Sequence, residues 1–107
     1  MSTKPKAGEL WFAELGLAEK SRPVLVVAGP REQNARALVV VVPLTSQIRG
    51  LRGEVPLGPL NYLPKPSAVN VQGIASFDYH KLSRKMGVLP SGLMSEVKQA
   101  LREMLEL

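Results

Sequence analysis

Arg22 opens a short apolar run, Ser21-Arg22-Pro23-Val24-Leu25-Val26-Val27, and Thr45 sits at the end of a second, Leu38-Val39-Val40-Val41-Val42-Pro43-Leu44-Thr45-Ser46. A guanidinium is permanently charged, and its fork of N–H donors matches the oxygens of a phosphate; a threonine hydroxyl offers one further donor. Beside each other and backed by apolar strands, the two would form a clamp for an oxyanion or phosphate. That requires distant residues to meet. Both runs are short, valine-rich and bounded by Gly, Pro and polar clusters, the pattern of buried β-strands. The segment between them, Gly29-Pro30-Arg31-Glu32-Gln33-Asn34-Ala35-Arg36, is rich in turn formers and too short for a crossover helix, so the strands should pair antiparallel. The start of the first then lies beside the end of the second, with Arg22 and Thr45 at one rim.

The remaining elements follow from the same kind of pattern. Glu9 to Leu15 mixes apolar and polar positions and predicts a first strand; Glu54 to Leu57 predicts a short one, and Ser67 to Phe77 one or two more. Met1 to Ala7 is expected to be a flexible tail, leaving 8–107 as one domain. Arg49-Gly50-Leu51-Arg52-Gly53 is a basic, flexible loop, Gly58 to Pro66 an irregular proline-punctuated one, and Asp78 to Arg84 a single helical turn. Pro90-Ser91 opens a helix with Ser91 as candidate N-cap. Leu93, Val97, Ala100, Leu101 and Met104 then recur at three- and four-residue spacing opposite Glu96, Gln99 and Glu103. Met94, Met104, Leu105 and Leu107 exceed what one stripe needs, so part of this surface is expected to face a partner subunit. Five or six short strands followed by one helix predict a mainly β (α+β) fold, a small twisted barrel or half-barrel capped by that helix.

Composition narrows the function classes. The chain has 107 residues, 45% of them hydrophobic and 21% charged, with no cysteine. That is enough for one modest core, and it excludes disulfides and thiolate metal sites; a reducing compartment is expected. A single histidine argues against a conventional zinc site. The first eight residues have no apolar signal core, and the longest apolar run is too short to span a bilayer, so a soluble, cytoplasmic protein with no membrane partner is expected. The net charge is +5, and residues 1–90 carry twelve of the fourteen Lys and Arg against six of the nine Asp and Glu. A basic β portion suits a polyanion or an acidic protein partner.

The ordinary structural alternatives are specific. Arg22 would instead form a salt bridge to Glu9, Glu14 or Glu19, and the Thr45 hydroxyl would bond the backbone of a turn. Trp11 would be core or a subunit contact rather than a stacking platform, and His80 an exposed histidine without a role. No general base is apparent, although Glu9 and Glu14 would qualify if folding brought them near.

Gly8-Glu9-Leu10-Trp11-Phe12, Arg22-Pro23-Val24-Leu25-Val26-Val27, Val42-Pro43-Leu44-Thr45-Ser46, Glu54-Val55, Ser67-Ala68-Val69 and Gly87-Val88-Leu89 occur in that order before the closing helix. In this order they resemble the MazF/PemK/Kid family of toxins from type II toxin-antitoxin systems, over nearly the whole chain. The resemblance implies an SH3-like small β-barrel with a C-terminal amphipathic helix, assembled as a homodimer. It implies a metal-independent endoribonuclease that needs no cofactor and cuts single-stranded RNA at short sequences. It also implies a cognate antitoxin that occludes the RNA groove. Arg22 and Thr45 fall on the family's catalytic positions. Ser46, Gln47, Arg49, Arg52, Asn70 and Gln72 are then the expected RNA-binding residues. The chain departs from the family where a segment usually reading acidic-Gln-aliphatic-Arg-Thr-aliphatic-Asp is Gln72-Gly73-Ile74-Ala75-Ser76-Phe77-Asp78. Gln72 and Ala75 stand for an acid and an arginine, and Asn70 for another arginine of Kid-like members. These departures favour a rival reading, a catalytically weakened binding module or a gyrase poison like the CcdB toxins, which share the fold. A purely structural partner-binding barrel fits composition alone.

Overall fold

The computed structural model describes residues 4–14, 21–30 and 37–107. Seven strands precede one helix: β1 Glu9–Ala13, β2 Arg22–Ala28, β3 Leu38–Thr45, β4 Glu54–Pro56, β5 Ala68–Asn70, β6 Ala75–Asp78, β7 Leu82–Val88 and α1 Ser91–Leu105. One-turn 3₁₀ segments, Val71–Gly73 and Tyr79–Lys81, flank β6. All pairings are antiparallel, in the order β4-β5-β3-β2-β1-β7, with β6 alongside β3. The valine runs are the two central strands, as their continuous burial from Val24 to Val26 and at Val41 and Val42 requires.

β3 organises the sheet. Its β2 edge pairs Val26↔Val41, Leu25↔Val42 and Val24↔Pro43. Its other edge is shared by two short strands, β6 opposite Leu38–Val41 and β5 opposite Leu44 and Thr45. Pro43, which has no N–H to give a two-sided strand, falls in the gap between those two ladders. The 3₁₀ turn Val71–Gly73 crosses that gap. A Cβ on Gly73 would stand 2.6 Å from Pro43 Cγ, so only glycine allows the approach.

Alternation along the strands makes two cores. Leu10, Leu25, Val42, Leu44, Val69 and Val97 share one with β4 and α1. Ala13, Val24, Val26, Val39, Val41 and Leu82 fill the other, inside the curl of the sheet, against Trp11, Phe77 and Tyr79. The turn Tyr79–Lys81 holds the curl. Tyr79 N–H donates to Ala37 C=O at 3.1 Å, and Glu14 N–H to Lys81 C=O at 2.9 Å, so one turn ties the start of β3 to the end of β1.

The α+β class and the closing helix therefore agree with expectation, but the barrel is a half-barrel: no ladder joins β6 to β7 among the described residues. Two further corrections concern local structure. Of the expected helical turn over Asp78 to Arg84, only Tyr79–Lys81 is helical, and Leu82 begins a strand. Among the described residues that strand pairs only with β1, and it carries exposed Ser83, Arg84 and Lys85, so its pairing rather than its own pattern makes it β. The helix cap is Pro90, whose carbonyl accepts the Met94 N–H at 3.0 Å; Ser91 already lies inside the helix and makes no cap. β1 ends at Ala13, and Leu15 lies outside the described residues. Of the expected tail, Pro5 is buried and the Lys6 N–H donates to Glu9 Oε1 at 2.9 Å. The predicted helix stripe packs on the first core together with Met94, while Leu105 and Leu107 stay exposed.

Candidate RNA-cleaving site

Arg22 is the first residue of β2, exposed, and opposite Ala13 of β1. The β2–β3 ladder ends at Val24↔Pro43; extended by two residues, its register would set Arg22 opposite Thr45. Residues paired across an antiparallel ladder share a face. Both therefore belong to the face of Val24, Val41 and Pro43, at the rim where the two strands diverge. The ladder itself stops at Pro43, because β3 turns there to pair Thr45 with Ala68 of β5.

Arg22 borders a cleft of about 360 Å³ lined by Val24, Val41, Pro43, Gly73, Ala75 and Phe77. Among the described residues, Arg22 is the one charged residue of that lining. Among the described residues it pairs with no carboxylate; Glu19 lies outside them. The Thr45 hydroxyl is half-buried and is not part of the lining. Its oxygen accepts the Gln47 N–H at 3.1 Å, the turn bond foreseen as the ordinary alternative. That bond uses a lone pair and leaves the hydroxyl proton available. The guanidinium and the hydroxyl thus share a rim and a face without lining one pocket, and the cleft beside Arg22 is apolar rather than polar.

The expected RNA-binding residues divide between two places. Ser46, Gln47, Arg49 and Arg52 are exposed on the β3–β4 loop directly after Thr45. Arg52 and Gln72 line a second cleft of about 550 Å³ with Gly53 and the end of α1, where Glu103 and Glu106 face them. Asn70 caps the Val71–Gly73 turn, its Oδ1 accepting the Gln72 N–H at 3.1 Å. Ala75 lines the Arg22 cleft, so the arginine that the family carries at that position is missing from the cleft itself.

The basic loop is not the flexible one expected. Glu54, at the start of β4, turns Oε1 back to accept the N–H groups of Arg49, Gly50 and Leu51 at 3.0, 2.8 and 3.3 Å. Sequence reasoning gave Glu54 no role beyond the resemblance. The signal was there: an acid directly after Gly53 and four residues after Gly50, at φ +92° and φ +68°, where left-handed backbone curls a chain toward one acceptor.

Neither acid weighed as a base reaches the Arg22 cleft. Glu9, only 8% exposed, accepts from Lys6 N–H and Trp11 Nε1–H at 2.9 Å each and pairs with Lys85 Nζ at 3.0 Å. Burial alone would raise its pKa, but those donors outweigh burial and hold it below the ordinary carboxylate value. It lines a different cleft, with Trp11, Tyr79, His80 and Lys85. Glu14 is exposed one residue past Ala13, at the Arg22 rim. His80 stacks on Tyr79 with ring centroids 4.2 Å apart, and its ring Nδ1 lies 2.7 Å from Asp78 Oδ1. The backbone and ring N–H groups of His80 hold the Asp78 carboxyl below its usual range.

The fold, antiparallel strands closed by a single C-terminal helix, is similar to that of solved bacterial toxins. The structure superposes on the Mycobacterium tuberculosis toxin MazF-mt6 with a TM-score of 0.77 at 30% identity, covering 92% of this chain and 97% of that one. A second match, described as an endoribonuclease in complex with its cognate antitoxin from a mycobacterial species, gives 0.81 at 27% identity, covering 96% of each chain. In sequence, the chain is 33% identical to the endoribonuclease MazF6 of M. tuberculosis over 108 residues, 92% of this chain and 95% of that protein. The profile of the PemK-like, MazF-like toxins of type II toxin-antitoxin systems matches residues 6–105. The chain belongs to that family. No helix of the described residues is long and apolar enough to cross a membrane.

Proposed function

We propose that this toxin is an endoribonuclease acting on single-stranded RNA through the rim that carries Arg22 and Thr45. RNA holds its own nucleophile. The 2′-oxygen attacks the adjacent phosphorus, the bond to the 5′-oxygen breaks, and a 2′,3′-cyclic phosphate and a 5′-hydroxyl result. The 2′ proton leaves to solvent while solvent protonates the departing 5′-oxygen. What the protein must add is alignment and stabilisation of the charge that grows on the phosphate oxygens. Arg22 supplies permanent charge and paired donors beside a cleft that no acid lines among the described residues; always cationic, it is a poor base. Thr45, its oxygen already fixed by Gln47 N–H, directs its proton to a phosphate oxygen. Ser46, Gln47, Arg49 and Arg52 carry the RNA away from the scissile phosphate, and Asn70 and Gln72 extend that track toward α1.

The observation that supports this reading is the β2–β3 register, whose last pair, Val24↔Pro43, lies two residues from Arg22 and from Thr45 along the same strand faces. The internal nucleophile requires no metal. Residues 8–107 act as one domain in the cytoplasm, as a homodimer, and a cognate antitoxin silences the enzyme by covering the same rim. The exposed Leu105 and Leu107 at the end of α1 are candidate surface for the subunit contact.

The test is incubation of the purified protein with a long single-stranded RNA in EDTA. Discrete fragments ending in cyclic phosphate, lost in Arg22→Ala and Thr45→Ala variants that melt like the wild type, are the expected result. Intact RNA, or cutting that survives both substitutions, refutes the assignment.

A further inference from the structure

We propose that Glu54 is a positioning residue for RNA: its carboxylate fixes the β3–β4 loop in the form that presents Arg49 and Arg52. This rests on the endoribonuclease reading, whose substrate contacts it assigns more closely. Three successive amides, those of Arg49, Gly50 and Leu51, converge on Oε1 of Glu54 within 3.3 Å. The Glu54 N–H returns a bond to the Leu51 carbonyl at 3.1 Å, so the loop is pinned from both sides of the same residue. Glu54 is in turn held in the sheet opposite Asn70 of β5, and β5 pairs with Thr45. The geometry of the loop is therefore tied to the strand end that carries the candidate hydroxyl.

Converging backbone amides of this kind bind anions in many proteins; here an internal carboxylate occupies them. The consequence is electrostatic as well as geometric. An acid two residues from Arg52 and five from Arg49 would ordinarily pair with one of them. Because Glu54 spends its charge on backbone donors, neither guanidinium has a carboxylate within 4 Å among the described residues. Arg49 is left for phosphates, as is Arg52, although Glu103 and Glu106 share its cleft, on a loop whose ordering need not be supplied by the RNA.

The experiment compares wild type, Glu54→Ala and Glu54→Gln in steady-state RNA cleavage, thermal melting and amide hydrogen exchange of the intact protein. In Glu54→Ala, KM should rise about tenfold with kcat within about twofold and little change in melting, because ordering of the loop and release of its arginines act on binding. Glu54→Gln keeps a carbonyl acceptor and should recover most of the wild-type KM. Exchange at Gly50 and Leu51 should accelerate in the alanine variant only. An unchanged KM in Glu54→Ala overturns the proposal, as does a fall in kcat that tracks the unfolded fraction. If wild type leaves RNA intact, the nuclease reading fails. Faster exchange in Glu54→Ala then keeps the carboxylate as the loop's anchor, and unchanged exchange removes that too.

Discussion

Substituting Glu9 probes how the sheet is held next to the tryptophan. The Glu9 carboxylate accepts from the Lys6 backbone and the Trp11 indole and pairs with Lys85, whose side chain is 47% exposed. Glu9→Ala strands two part-buried N–H donors, at roughly 1 kcal/mol each where water has partial access, and loses an ion pair worth under about 1 kcal/mol, so it should cost about 2–3 kcal/mol. Glu9→Gln keeps an acceptor for both donors and loses only the charge, about 1 kcal/mol. The pH dependence has a definite sign. Burial, the largest influence, raises the Glu9 pKa, yet the bonds from Trp11, Lys6 and Lys85 together bring it below the ordinary 4.5. The folded state therefore binds this proton less readily than the unfolded chain. Its stabilisation is complete above the unfolded pKa and is lost as pH falls through the lower folded one. The gap between wild type and Glu9→Gln should be flat above the ordinary carboxylate value of 4.5 and close as the pH falls through the lower folded value. Asp78 is also held low but is present in both proteins, so its contribution cancels. Urea unfolding followed by Trp11, the single tryptophan, measures the gap. A gap that does not change with pH, or a Glu9→Ala variant within a few tenths of a kcal/mol of wild type, would refute the reasoning.

Arg22→Lys keeps the charge and removes the fork; cleavage should fall about ten- to a hundredfold if two phosphate oxygens are held together, and a rate near wild type would reduce the role of Arg22 to charge alone. Gly73→Ala places a methyl 2.6 and 2.9 Å from the Pro43 ring, a rigid neighbour in a central strand, and should cost about 1–3 kcal/mol while deforming the Arg22 cleft; an unaltered urea midpoint with full activity would contradict the close approach. Tyr62→Phe removes the hydroxyl that donates to the Val88 carbonyl at 2.8 Å, about 1 kcal/mol or a melting shift of about 4–8 °C. RNA binding should weaken steeply between about 50 and 200 mM salt, each phosphate neutralised contributing to the slope, and a salt-independent affinity would exclude Arg49 and Arg52 from the track.

The two valine strands, their antiparallel pairing and the apolar stripe of the helix were legible because burial on both faces, turn chemistry and helical period leave few alternatives. The same logic led to the expectation that Arg22 and Thr45 share a rim. It failed where a segment takes its conformation from its neighbour. β7 presents Ser83, Arg84 and Lys85 to solvent and is a strand because β1 pairs with it. The Arg49–Gly53 loop is ordered by an acid outside it. The open edge between β6 and β7 depends on where the Tyr79–Lys81 turn finds its partners, Ala37 and Glu14, which no local pattern encodes.

Pro43 shows how the fold and the candidate chemistry constrain each other. A strand paired on both edges cannot carry a proline without losing a donor, so β3 must exchange one neighbour for another at that point. The exchange ends the β2–β3 ladder at Pro43, so no ladder pair joins Arg22 to Thr45. It also leaves a gap that the Val71–Gly73 turn fills, and that turn carries Gln72 to the α1 side and Gly73 to the floor beside Arg22. A Pro43→Val strand would favour a continuous ladder, draw Thr45 toward β2 and narrow the space a phosphate needs. On this reasoning Pro43→Val should leave the melting temperature near or above that of wild type while lowering cleavage about tenfold, since misplacement rather than instability removes the rate. A variant equally active would show that the divergence of the two strands is incidental to the site.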